Sequence, residues 1–359
     1  MSIGMARADG EGAMSVRNGR RAGAVVVLLA ALLALCAFTA GAASAHPYYL
    51  SLSFVDRQHG YAAGIDNHTL SFTVWKTTDG GDHWRTSTSR VLAGSPMVFV
   101  DFVNASVGVW SDMGRAQYTT DGGGAWHDTS GVDGFLTDVS AVTTTQAWGS
   151  STFGSSWSGG SVMQSTDGGK SWIKKYDKPG DDGVGGFSRV SSPVLDEAYA
   201  LWTGPSDGKP TTTEYASVVY GTEDDGTTWQ SGSLPAISGQ FKAYHDISFS
   251  RPECGWAVGD DGAVAVTTDG VTWKAQSSGV KVDLNAVQFV DGALGYAVGD
   301  HGTVLKTTNG GDRWVKLKVR TNSQLEALSF VDATHGWIAG AGGTLLRTGN
   351  GGKTWLKAN

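Results

Sequence analysis

Alternating apolar and polar residues recur in short stretches along the chain, with turns rich in Asp, Asn and Gly between them. In the sixth and clearest repeat, the pattern predicts strands over Ala286–Asp291, Gly295–Gly299, Gly302–Thr307 and Arg313–Leu317. Short amphipathic runs are typical of strands, and four of them fill a repeat of about 40 residues. Seven such repeats predict an all-β fold, a seven-bladed β-propeller of four-stranded antiparallel blades. We expect the first strand of each blade to be innermost.

Each predicted third strand ends in one turn motif, Ser/Thr-x-Asp/Asn-x-Gly-x-x-Trp, which occurs seven times, once with a residue missing. The Asp or Asn oxygen can accept backbone N–H bonds, glycine takes positive φ without strain, and Trp adds a large apolar face. Asn replaces Asp in the last two copies, so the motif predicts hydrogen bonding and not metal binding or acid catalysis. The copies are Asp79 with Trp84, Asp121 with Trp126, Asp167 with Trp172, Asp224 with Trp229, Asp269 with Trp273, Asn309 with Trp314, and Asn350 with Trp355.

The N-terminal segment, residues 1–45, differs from the repeats. Arg17, Arg20 and Arg21 precede the apolar run Ala22–Phe38, and a small-x-small sequence precedes His46. This pattern predicts a cleaved signal peptide, with an uncleaved N-terminal anchor as the alternative because the apolar run is nearly long enough to span a bilayer. Residues 46–359 then hold the seven repeats, and we expect blade seven to pack on blade one, with some pairing from His46–Leu50. The expected location is secreted or on the extracytoplasmic face of the cytoplasmic membrane.

Charge and composition narrow the possible functions. The chain has 27 Lys and Arg against 34 Asp and Glu, and this net charge of −7 does not favour nucleic acid as a partner. Cys254 is the one cysteine beyond the leader, so we expect no intrachain disulfide and a core position for this residue. The histidines are scattered, and no Ser-His-Asp set or phosphate loop occurs. We therefore predict no catalytic residue, no metal and no cofactor, and we expect a monomer.

The sequences of Gly255–Trp273 and Gly295–Trp314, GWAVGDDGAVAVTTDGVTW and GYAVGDHGTVLKTTNGGDRW, resemble the photosystem II stability/assembly factor family. The turn motif itself resembles the Asp-box, or bacterial neuraminidase repeat. The resemblance implies a non-catalytic propeller that holds a protein subunit or membrane complex on the lumenal or periplasmic side. It also implies that the Asp-boxes lie away from the ligand face. Photosynthetic members carry a cluster of arginines on one face, whereas the nine arginines beyond residue 45 are scattered along this sequence.

Loops exceed the repeat period between Gly149 and His245, and long loops on a rigid scaffold often carry function. Aromatic residues lie in or beside these loops, which suggests an aromatic-lined binding rim. Ordinary packing beneath longer loops is the alternative interpretation. The candidate rim residues are Phe153, Trp157, Phe187, Tyr215, Phe241 and Tyr244.

The Asp-box also occurs in sialidases and in some β-glucan-cleaving glycosidases, so glycan binding or hydrolysis is the alternative function. A sialidase-like site would need an Arg-Ile-Pro motif, but Arg57 lies in Asp56-Arg57-Gln58. It would also need a paired Tyr and Glu on one face. Glu214 and Tyr215 are adjacent, which places them on opposite faces of a strand. We therefore predict a non-enzymatic scaffold with a protein partner.

Overall fold

The computed structural model describes residues 46–91, 97–112, 114–153, 159–179, 185–206 and 212–358. Within them, seven separate four-stranded antiparallel sheets follow one another along the chain. The predicted seven-bladed β-propeller is therefore confirmed. The predicted signal peptide and the candidate rim residue Trp157 lie outside the described residues.

Blades 1 to 4 contain the strands β1 Tyr48–Phe54, β2 Gly60–Asp66, β3 Ser71–Thr77, β4 Arg85–Val91; β5 Val98–Phe102, β6 Gly108–Asp112, β7 Arg115–Thr119, β8 His127–Asp128; β9 Phe135–Ala141, β10 Ala147–Thr152, β11 Gly159–Ser165, β12 Ile173–Pro179; and β13 Gly186–Ser191, β14 Ala198–Pro205, β15 Tyr215–Thr222, β16 Gln230–Ser233. Blades 5 to 7 contain β17 Tyr244–Arg251, β18 Cys254–Gly259, β19 Ala263–Thr267, β20 Lys274–Ser277; β21 Leu284–Phe289, β22 Gly295–Gly299, β23 Thr303–Thr307, β24 Val315–Lys316; and β25 Leu325–Phe330, β26 Gly336–Gly340, β27 Leu345–Thr348, β28 Leu356–Lys357. A 3₁₀ turn at Asp260–Gly262 joins β18 to β19.

The first strands are innermost, as expected, because each packs against the first strands of both neighbouring blades and together they complete a ring. Several begin earlier than the sequence predicts. The pattern starts the first strands of repeats three to five at Asp138, Arg189 and Asp246, but they begin two or three residues before these positions. In a sequence, a charged residue is usually interpreted as the boundary of a strand. Here the charged residues lie within the first strands, which face the centre of the ring.

No strand is shared between the first and last sheets, so blade seven closes on blade one by side-chain packing and hydrogen bonds. The segment before β1 adds one backbone bond, from the Gly343 N–H to the Pro47 oxygen at 2.7 Å. Two further bonds come from Arg347 Nη1 and Trp337 Nε1, which both donate to the Gly80 oxygen. The expected closure by packing is therefore confirmed, with a small contribution from the residues that precede β1.

A continuous ring of hydrogen bonds joins all seven blades. Near the end of each first strand, one side-chain oxygen accepts the backbone N–H of the next blade, at 2.7–3.1 Å. We call this set the interblade ring. Its acceptor–donor pairs are Ser53–Phe102, Asp101–Ala141, Ser140–Ser192, Ser191–Phe249, Ser248–Phe289, Gln288–Phe330 and Ser329–Phe54.

The hydrophobic core is divided into seven clusters, each shared by two adjacent blades. Within a typical cluster, the Phe that ends a first strand stacks on an aromatic ring of the preceding blade. Phe289 lies on Trp256 with ring centroids 3.4 Å apart. Cys254 is buried in the same cluster, as expected.

A glycine faces each of these Phe residues because there is no room for a side chain. A Cβ on Gly295 would lie 2.5 Å from the Phe289 ring, and its strand partner is that same residue. Gly60, Gly108, Gly255 and Gly336 face Phe in the same way. In blade 3 the corresponding pair is Ala141 with Ala147. Ala141 takes the place of Phe, so position 147 has room for the methyl group of alanine.

Candidate functional site

The two faces of the disc are built differently. One face carries the turns between strands one and two and between strands three and four, and therefore all seven Asp-box motifs. We call it the box face. The opposite face carries the turns between strands two and three and the connections to the next blade, and we call it the loop face. The five described candidate rim residues come from segments at or near the loop face.

The turns of the box face repeat one hydrogen-bonding pattern. In each copy the Ser or Thr hydroxyl donates to the Asp or Asn side-chain oxygen at 2.8–3.0 Å. The same oxygen accepts a backbone N–H near the following Trp, as Asp79 does from His83 at 3.0 Å and Asn309 does from Arg313 at 3.1 Å. Asn and Asp thus make the same bonds, which is the role that the sequence predicts for this position.

The box tryptophans pack inward against aromatic residues of the core. Trp314 meets Phe289 edge-on with ring centroids 5.8 Å apart, and Trp84 meets Phe54 at 5.9 Å. The Asp carboxylates of the same motifs accept hydrogen bonds within the turns. The backbone N–H of His83 and the other bonds to Asp79 hold the pKa of that carboxyl well below its usual range. We therefore interpret the box face as structural.

The rim prediction needs correction at two residues. Phe187 is fully buried and packs edge-on against Trp202, with ring centroids 5.2 Å apart. Tyr244 is also buried, at 5% exposure, in the core between blades 4 and 5. Both lie in first strands, and such strands are covered by neighbouring blades. Their rings therefore support the loop face but do not offer a surface to a ligand.

Tyr215 and Phe241 form an aromatic pair on the loop face. Their rings are both half-buried, with centroids 5.6 Å apart at an angle of 56°. Phe241 has a φ of +57°, which is unusual for a bulky residue, and its N–H donates to the Thr213 oxygen at 2.6 Å. Phe153, also half-buried, follows β10 on the same face in blade 3. The connection that follows blade 4 thus holds the backbone of Phe241 in the left-handed region, which bulky residues rarely adopt.

The sequence interpretation missed a set of charged residues inside the ring of first strands. Asp138 Oδ2 accepts the Val190 N–H of the next blade at 3.0 Å, and Asp246 Oδ2 accepts the Val287 N–H at 2.8 Å. Arg189 lies on the intervening blade, with its Nε 3.5 Å from Asp246 Oδ1. In the sequence, each of these charged residues is one polar position in an otherwise largely apolar inner strand. That pattern cannot be distinguished from the alternation of an ordinary amphipathic strand.

The seven first strands surround the axis of the propeller, and we call the space inside them the central channel. Charged side chains also lie at the end of this channel on the loop face. The Tyr48 hydroxyl donates to Glu326 Oε1 at 2.6 Å and so links blade 1 to blade 7. His245 lies between blades, with Nδ1 3.1 Å from the Leu284 oxygen and Nε2 3.3 Å from Asp260 Oδ1. These side chains define the channel mouth, and each polar contact there joins two strands or turns.

The residues considered for a sialidase-like site are not brought together. Arg57 lies on the box face, where its Nη2 is 3.0 Å from Asp332 Oδ2. Glu214 and Tyr215 lie at the start of β15 on the loop face. Among the described residues, no group of three or more His, Cys, Asp or Glu is placed to hold a metal ion. In the same part of the chain, no helix is long and apolar enough to cross a membrane.

The architecture defines a seven-bladed β-propeller with a repetitive box face and a varied loop face. The family model for photosynthesis system II assembly factor YCF48 matches residues 74–308 and 307–359. The chain therefore belongs to this family, as the sequence motifs suggested. A search of curated proteins gave no match.

Solved structures show the same fold. YCF48 bound to a D1 peptide is 21% identical, with a TM-score of 0.60 over 85% of this chain and 94% of that one. YCF48 from Cyanidioschyzon merolae is 17% identical, with a TM-score of 0.60 over 86% and 97% of the two chains. The GH74 xyloglucanase from Xanthomonas campestris is 13% identical, with a TM-score of 0.62, and this chain covers 55% of it. At these identities the likenesses establish the fold alone.

Proposed function

We propose that the protein is a non-catalytic scaffold that binds a protein segment on its loop face, on the outer side of the cytoplasmic membrane. The observation that carries the proposal is the aromatic pair Tyr215–Phe241, half-buried and held by the Phe241 backbone on the more varied face. A protein partner agrees with the family, in which YCF48 has been seen bound to a D1 peptide. The signal-peptide pattern of residues 1–45 supports the location.

The physical case rests on preorganisation. Aromatic side chains concentrate binding energy at interfaces because they bury a large area and lose little side-chain entropy. The blades beneath the loop face are tied together by the interblade ring, so a partner need not order the scaffold itself. On the box face, by contrast, the tryptophans of the Asp-boxes pack inward and their carboxylates are engaged in turns.

The proposal is tested by capture with matched variants of the full chain. The protein is cross-linked in host envelope extract, and the retained molecules are identified by mass spectrometry. We expect one membrane complex or precursor subunit, with retention reduced about tenfold or more by Y215A/F241A. The control is H83A, whose exposed side chain lies on the box face.

Two outcomes would contradict the proposal. Equal retention by the Y215A/F241A and H83A variants would remove the loop face from the interaction. Recovery of cell-wall glycan alone, released by free sugar, would replace protein binding with the glycan-binding alternative. Fluorescence quenching on sugar titration of the purified protein distinguishes that alternative directly.

A further inference from the structure

Four partly buried carboxyl groups accept hydrogen bonds between neighbouring blades around the central channel. Asp101 belongs to the interblade ring and accepts the Ala141 N–H at 2.8 Å. Asp138 and Asp246 accept backbone N–H groups of the following blades and lie two residues before the interblade-ring acceptors Ser140 and Ser248. Glu326 accepts the Tyr48 hydroxyl across the seam between blades 7 and 1. These four carboxyl groups therefore each accept a hydrogen bond at a different blade-to-blade junction.

The cations near these carboxyl groups are too few to balance them. Arg189 lies between Asp138 and Asp246 and pairs with Asp246. Other charged or titratable groups that act on these side chains lie toward the channel mouth. They are Tyr48, Lys242, His245, Asp260, Asp283 and Asp300. If all four carboxyl groups were ionised, the channel would hold an uncompensated negative charge that is only partly exposed to water, which is energetically costly.

We propose that the association of the blades around the channel is pH-sensitive. Protonation of Asp101, Asp138, Asp246 and Glu326 strengthens the packing of neighbouring blades, and ionisation weakens it. A protonated carboxyl group keeps its carbonyl oxygen, which can still accept the backbone N–H of the next blade. Protonation therefore removes the repulsion without removing the interblade hydrogen bonds. The neutral members of the interblade ring, such as Ser140 and Ser248, do not respond to pH.

The direction of the effect follows from the proton affinities. Burial raises the pKa of Asp138 to about 7 and that of Asp246 to about 6, against a partial offset from Arg189. Burial also raises the pKa of Asp101 and of Glu326. For His245, burial lowers the pKa, but Asp260 outweighs it and the pKa is raised.

All five groups bind protons more tightly in the folded chain than in the unfolded one. Their stabilising contribution is complete below the unfolded pKa, about 4 for the carboxyl groups and about 6.5 for His245. It is lost as the pH rises through the folded pKa values, which are about 6 and 7 for Asp246 and Asp138. The propeller should therefore lose stability between about pH 5 and pH 8.

The test is calorimetric unfolding of the full chain at several pH values and constant ionic strength. We expect the Tm to fall by roughly 5 °C between about pH 5 and pH 8. D138N/D246N keeps both acceptor oxygens and removes two of the five titrating groups, so the slope should become clearly shallower. The matched control is S140A, which removes one neutral bond of the interblade ring and should lower the Tm equally at every pH.

Removal of the channel cation gives the opposite change. R189Q should steepen the fall in Tm, because Asp138 and Asp246 would lose their compensating charge. A wild-type Tm that is constant or rises over this pH range would overturn the proposal. The same conclusion would follow if D138N/D246N kept the wild-type slope.

A second measurement on the unmutated chain applies if the variants do not fold. Carboxyl carbons are followed by NMR during a pH titration. At least two Asp resonances should have midpoints above about pH 5.5. Midpoints that all lie below about pH 4.5 would overturn the proposal without any variant.

Discussion

The box face and the loop face are made by the same 28 strands but follow different rules. Seven turns on the box face repeat one set of bonds, and even the copies with Asn309 and Asn350 make the same contacts as Asp. The loop face repeats less, and in blade 4 it holds Tyr215 against Phe241. The comparison shows that repetition in this chain marks what the fold needs, whereas departures from repetition are where a specific partner can be recognised.

The largest expected effect is at the packing beneath the box face. F289A should lower the free energy of unfolding by about 3 to 5 kcal/mol, because it removes a ring that stacks on Trp256 and meets Trp314. G295A should cost about 1 to 3 kcal/mol, since its Cβ would collide with the Phe289 ring. Urea denaturation measures both.

The double variant F289A/G295A sharpens this prediction. It should be no less stable than F289A, because the methyl group enters space that the ring has left and alanine is less flexible than glycine in the unfolded chain. Blade 3 already contains the Ala141–Ala147 pair at these positions. Additive losses would show that the Phe–Gly contact is not the reason for the glycine.

A smaller effect is expected at the box turn itself. N309A should cost about 1 kcal/mol, because the acceptor for the Thr307 hydroxyl and the Arg313 N–H is lost. N309D keeps the acceptor and should be nearly neutral, as measured by the same denaturation experiment. A large loss with N309D would mean that charge, and not hydrogen bonding, decides the residue at this position.

The box carboxylates should also respond to pH in the opposite sense to the channel. The bonds to Asp79 and Asp269 lower their pKa, so their stabilising contribution is present above the unfolded pKa, about 4, and is lost as the pH falls below it. D79N/D269N should therefore flatten the loss of Tm at acidic pH and leave the slope above about pH 5 unchanged. A change confined to the higher pH range would contradict this assignment.

The smallest effect on stability is expected at the aromatic pair of the loop face. Y215A/F241A should shift the Tm little, because both rings are half-exposed, yet it should reduce partner retention most. Thermal unfolding and the capture assay, performed on the same preparation, separate the two quantities. A large fall in Tm would reassign the pair to ordinary packing under a longer loop.

Much of the fold could be predicted from the sequence because its signals are local and repeated. The turn motif, the alternation over Ala286–Asp291 and the family motifs each lie within one short segment. The charges of the channel could not be recognised in this way. Asp138, Arg189 and Asp246 come from three consecutive blades, and only the packing of those blades against one another brings them together. Burial of Phe187 and Tyr244 was missed for the same reason, since neighbouring blades cover them.

Site-specific photo-cross-linking tests the division between the two faces most directly. A photoreactive phenylalanine derivative is placed at Tyr215 or Phe241 on the loop face, and at His83 or Thr354 on the box face. The account predicts that the loop-face positions label the same host protein and that the box-face positions label none. Labelling of that protein from His83 or Thr354, with none from Tyr215 or Phe241, would contradict it.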